Sequence, residues 1–106
     1  MRVVFAPGAR TDIVEARAWW MTNRRDATEA MARELADAFR ALPQVARTLP
    51  RFRRVGALEV RRYHVPRVHR HVYFHVAASG DIVVLAVWGA VRGLLPRLRA
   101  RAQSGP

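Results

Sequence analysis

The sequence predicts an α+β fold in the order β-α-α-β-β-β. A helical hairpin should pack on one face of a small, mainly antiparallel sheet, followed by a short C-terminal tail. Three observations carry this expectation. Residues 9–20 and 27–42 repeat apolar side chains at helical spacing. The segments HVYFHV and DIVVLAVW, which flank a turn at Ala78-Ser79-Gly80-Asp81, have the alternation or apolar density of strands. At 106 residues the chain is long enough for one domain with one core.

Arg2 to Phe5 is a short β-branched and aromatic run that Ala6-Pro7-Gly8 ends, and it reads as a first strand. Pro7 suits the first turn of the next helix, where its missing N–H costs nothing. In that helix Ala9, Ile13, Ala16 and Trp20 form one stripe, and Arg10, Arg17 and Arg24 fall elsewhere. Asp12 and Glu15 read as acids favoured by the helix dipole. Asp26 with Glu29 three residues on suggests an N-cap and capping box for the second helix. Its stripe is Ala27, Met31, Leu35, Ala38 and Leu42, and Pro43 is expected to end it.

Residues 43–59 carry two prolines and the run Arg51-Phe52-Arg53-Arg54, and they read as a loop with at most one helical turn. Strands are expected at about 59–66, 71–77 and 81–88. In the middle one, Val72, Phe74 and Val76 should face the helices, with His71, Tyr73 and His75 opposite. That polar set should lie beside Arg61 with Tyr63, or Arg62 with His64. The last strand is apolar on both faces, as in the centre of a sheet. One domain over residues 1–102 with a disordered tail at 103–106 completes the layout.

Composition excludes several chemistries. With no cysteine there is no disulfide framework, thiolate zinc site or cysteine nucleophile. Histidines 64, 69, 71 and 75 include no His-x-x-x-His pair on a helix, so neither metal nor other cofactor is expected. The longest apolar stretch, Ile82 to Val91, is about half a membrane span. The expectation is a cytoplasmic protein with no signal peptide and no membrane partner.

All 19 basic residues are arginine. Residues 1–37 balance six arginines with six acids. Residues 38–106 hold thirteen arginines against Glu59 and Asp81, so the whole net charge of +11 lies after the second helix. Arginine's planar fork suits phosphate and carboxylate, so nucleic acid or an acidic protein is the expected partner. Arg97, Arg99 and Arg101 read as a solvated helix face.

The element order, with VVFAPGARTDIVEARAWW at the start, resembles the RelE/ParE superfamily of toxins from bacterial type II toxin–antitoxin pairs. Val60-Arg61-Arg62, Arg67 before His71-Val72-Tyr73-Phe74, and Leu85-Ala86-Val87-Trp88 followed by Arg92 are similar to its later motifs. The resemblance covers nearly the whole chain. It implies a toxin neutralised by an acidic antitoxin, whose complex meets operator DNA only through that antitoxin.

Two activities occur on this fold. RelE-like members cut messenger RNA on the ribosome, and ParE-like members inhibit DNA gyrase without chemistry. Cleavage would assign phosphate binding to Arg61, Arg67 and Arg92 and proton transfer to His71, Tyr73 or His75. Arg53, Arg54, Arg62 and His75 are the candidates for contact with target or nucleic acid, and Arg51, Phe52 and Trp88 for contact with antitoxin. Gly89 stands where many cleaving relatives carry a histidine, which favours gyrase inhibition. A basic nucleic-acid-binding module without toxicity is the third reading.

Overall fold

The computed structural model describes residues 1–90 and 94–104. Along it run β1 (Val3–Phe5), α1 (Pro7–Asn23), α2 (Thr28–Val45), β2 (Arg51–Val55), β3 (Leu58–Val65), β4 (Arg70–Val76), β5 (Ile82–Gly89) and α3 (Leu98–Gln103). The strands form one sheet in the order β1-β5-β4-β3-β2. β1 pairs with β5 in parallel and every other pairing is antiparallel. The α+β class and the helical hairpin on one face are as expected. β2 and α3 are additional elements.

The hairpin covers the face that the alternation in β4 assigned to it. Val72 and Phe74 are fully buried, and Val76 packs beside them. From above, Ala9, Ala16 and Trp20 of α1 meet Met31, Leu35, Ala38 and Leu42 of α2. Phe5 and Phe39 close the contact edge to face, with centroids 4.9 Å apart.

Three helix-end expectations are corrected. No Asp26–Glu29 capping box forms, because residues 25–27 make a 3₁₀ turn and α2 starts at Thr28, whose hydroxyl donates to the Arg24 carbonyl at 3.1 Å. Pro43 lies inside α2, which runs on to Val45. So near the C-terminus it removes one helical bond only, and Ala46 N–H still reaches the Leu42 carbonyl at 2.8 Å. Asp12 lies beyond the first turn of α1, outside the reach of the dipole, and is buried.

The segment Arg51-Phe52-Arg53-Arg54-Val55 is a strand rather than a loop. A bulge hides its period: Arg51 opposes Arg61 and Arg53 opposes Val60, so Phe52 has no opposite residue. It is an edge strand, where exposed arginines are tolerated and discourage pairing with other chains. Gly56, at φ 59°, turns it into β3.

The opposite face is not an open polar surface. Tyr73, Val60, Val55, Val83, Leu85 and Ala86 form a second buried apolar cluster, which Leu98 and Ala102 of α3 cover in part. A second bulge shapes it. Tyr73 pairs with Ala86 but Phe74 pairs with Val84, so Leu85 is inserted. Leu85 and Ala86 therefore both serve this cluster, and Val84 and Val87 both serve the helical side. Gln103, expected in the tail, ends α3, while Gly105 and Pro106 lie outside the described residues.

Candidate functional site

β1 spans only three residues, so it covers β5 only as far as Val84. Past that point the Leu85 carbonyl and the Val87 N–H face no strand. Side chains satisfy them. Asp12 Oδ2 accepts from Val87 N at 2.9 Å, and Arg101 Nη1 donates to the Leu85 carbonyl at 3.1 Å. The same two side chains form a two-point ion pair of 2.6 and 3.1 Å. A buried carboxylate needs such partners, and this one also joins α1, β5 and α3.

The part of the second face left open by α3 carries a row of rings and guanidinium groups. Arg62 lies 4.4 Å from the Phe52 ring centroid and Arg53 lies 5.6 Å from it, both within cation–π range. Phe52 packs edge to face on Tyr73 at 5.4 Å. Tyr73 is followed by His71 at 6.0 Å, and His71 by His64 at 4.7 Å. Of the two arginine pairings left open by the sequence, the fold selects Arg62 with His64. Burial first, then Arg62 and His64 beside it, hold the His71 imidazole below its ordinary pKa. It is thus a neutral ring at neutral pH, able to accept a proton.

The other residues named for cleavage do not join His71 at the solvent-open surface. Arg61 faces the helical side, where it donates to the Leu49 carbonyl and lies 3.7 Å from Glu59. Arg67 sits on the turn between β3 and β4 and pairs with Glu34 of α2 at 3.1 Å. Tyr73 is 1% exposed, closed off by Phe52 and the surrounding apolar cluster. Arg92 lies outside the described residues.

His75 shares the face of His71 but sits farther along it, against a cavity of about 360 Å³ lined by Val4, Leu58, Val83 and Leu85. Its Nδ1 is buried without a partner among the described residues, and burial lowers its pKa. Arg51 and Arg54 stand 3.5 and 3.6 Å from Glu59 across the β2–β3 hairpin. Trp88 is half-buried, with the Arg101 guanidinium 5.2 Å from its ring. Among the described residues, no three metal-ligating side chains are close enough to share an ion, and no helix is long and apolar enough to cross a membrane.

Sequence reasoning missed Asp12 and Arg101. A signal existed: Asp12 lies three residues after Ala9 and four before Ala16, inside the apolar stripe. An acid there implies a buried partner. Arg101 carries no comparable mark. Compared with models of known protein families and with curated proteins, the chain matches none.

Proposed function

We propose that the protein is the toxin of a type II toxin–antitoxin module, acting in the cytoplasm by binding its target, DNA gyrase, and cutting nothing itself. The resemblance of the sequence motifs to RelE/ParE toxins, together with the helical hairpin on one face of the sheet, supports the toxin reading. What favours binding over cleavage is that Arg61 and Arg67 bond away from the His71 face and that Tyr73 is closed to solvent. Of Arg61, Arg67, His71 and Tyr73, only His71 reaches the open basic face with a solvent-accessible ring. A general acid–base pair must approach one scissile bond together. A binding surface needs only the exposed Arg53 and His64 with the half-buried Arg62, which Phe52 and the sheet hold in position. The cognate antitoxin would run along the free edge of β2, at Arg51 and Phe52, with acids to match the arginines and backbone to pair the edge.

Induction without antitoxin in a bacterial host tests this. Filamentation with DNA damage is the expected result. Rapid loss of translation with cuts in the ribosomal A site would replace it with the second reading, a ribosome-dependent endoribonuclease. One observation favours that alternative: neutral His71 beside His64 and Arg62 joins a base, a second imidazole and a cation. Unimpaired growth would remove both.

A further inference from the structure

β2 and α3 enclose an open groove of about 480 Å³ whose walls carry Arg53, Arg54, Arg97 and Arg99. Its other polar side chain is Gln103, and no carboxylate lines it. All four arginines are exposed. Among the described residues Arg53, Arg97 and Arg99 have no ion-pair partner, and Arg54 has only the exposed Glu59 at 3.6 Å. Arg99 of α3 reaches across to the hairpin: a Cβ built on Gly56 would lie 3.9 Å from its Nη1. Two segments more than forty residues apart in sequence thus aim like charges into one space. Such an arrangement repels itself until an anion enters.

We infer that this groove binds the phosphodiester backbone of nucleic acid, without reading base sequence. Each guanidinium fork fits phosphate oxygens in bidentate fashion. Gln103 is the one lining side chain able both to donate and to accept, too little for a base code. An acidic protein helix is the rival occupant, but it would need apolar anchor points. The groove's Val55 and Leu98 are buried, and among the described residues none of the exposed large apolar side chains, Met1, Val14, Trp19, Met21, Leu94 and Leu95, lines it. The inference stands apart from the toxin reading and holds whatever the target is.

The test uses the full chain, a labelled short duplex DNA of arbitrary sequence, a single-stranded RNA and poly-glutamate, each titrated over a salt series. The expected result is binding to nucleic acid whose logarithmic salt slope shrinks in R97A/R99A by about 1.8 on duplex or about 1.4 on a single strand, at about 0.9 and about 0.7 per phosphate contact. The arm with the tighter binding identifies DNA or RNA as the source of the backbone. R24A/R25A removes equal charge from the connection between α1 and α2 and should leave the slope nearly unchanged. If R97A/R99A loosens α3, as circular dichroism would report, R53A/R54A gives the same reading from the sheet. Equal losses in the R24A/R25A control, no binding to either nucleic acid, or binding to poly-glutamate alone would each overturn the inference.

Discussion

Asp12 and Arg101 are 89 residues apart in the chain and 2.6 Å apart in the fold, and each also caps a backbone group of β5. One ion pair therefore closes the sheet where β1 stops and fastens α3 to α1. Removing either partner strands the other. D12A is expected to cost about 3 kcal/mol, the range for breaking a buried pair. D12A and R101A together should cost less than the sum of the two single changes. A double-mutant cycle in urea checks this, and additive losses would show that the pair is not coupled.

Gly8 gives Arg101 its passage. A Cβ there would meet Arg101 Nη1 at 3.0 Å and Cγ at 3.2 Å, and Asp12 keeps the guanidinium from swinging away. Glycine to alanine in a helix ordinarily gains up to about 1 kcal/mol. G8A should instead lose about 1–2 kcal/mol, the scale of overpacking. In R101A the same change should regain the ordinary sign. Denaturation midpoints of the two backgrounds make the comparison.

His71 and His75 couple stability to pH. Burial lowers both pKa values in the folded protein, with Arg62 and His64 adding to the effect at His71. The unfolded chain then binds more protons than the folded one as pH falls through the ordinary histidine range of about 6.5. The stability present above that range is lost below it, down to the depressed folded values. Urea midpoints should fall between about pH 7.5 and about pH 5, and H71Q/H75Q should flatten the decline. A midpoint that rose on acidification would reverse the assigned direction.

Arg61 and Arg62 are neighbours on opposite faces. R62A should weaken growth arrest at unchanged protein level, because it removes the cation stacked on Phe52 from the open face. R61A should act through stability, by freeing the Leu49 carbonyl and one contact of Glu59, at a cost of about 1–2 kcal/mol. Measuring growth arrest alongside soluble protein separates the two effects. Equal toxicity of R62A and the parent would take Arg62 out of the target surface.

The helices, the three principal strands and the inward set of β4 were legible because each repeats at a fixed period that one buried face imposes. β2 was not legible, since its inserted Phe52 breaks the period and its edge position leaves arginines exposed. The bulge at Leu85 was hidden for a related reason: in a strand apolar throughout, a change of face leaves no trace in composition.

By itself the sequence determined the α+β class, the apolar stripes and the concentration of positive charge after the second helix, all properties of neighbouring residues. Tertiary structure alone decided that Arg62 rather than Arg61 joins the ring-bearing face, that Tyr73 is closed to solvent, and that α3 docks through Arg101. Each of these depends on a strand register or a pairing between distant segments. No local pattern encodes such a pairing, because its free energy exists only once the chain has closed on itself.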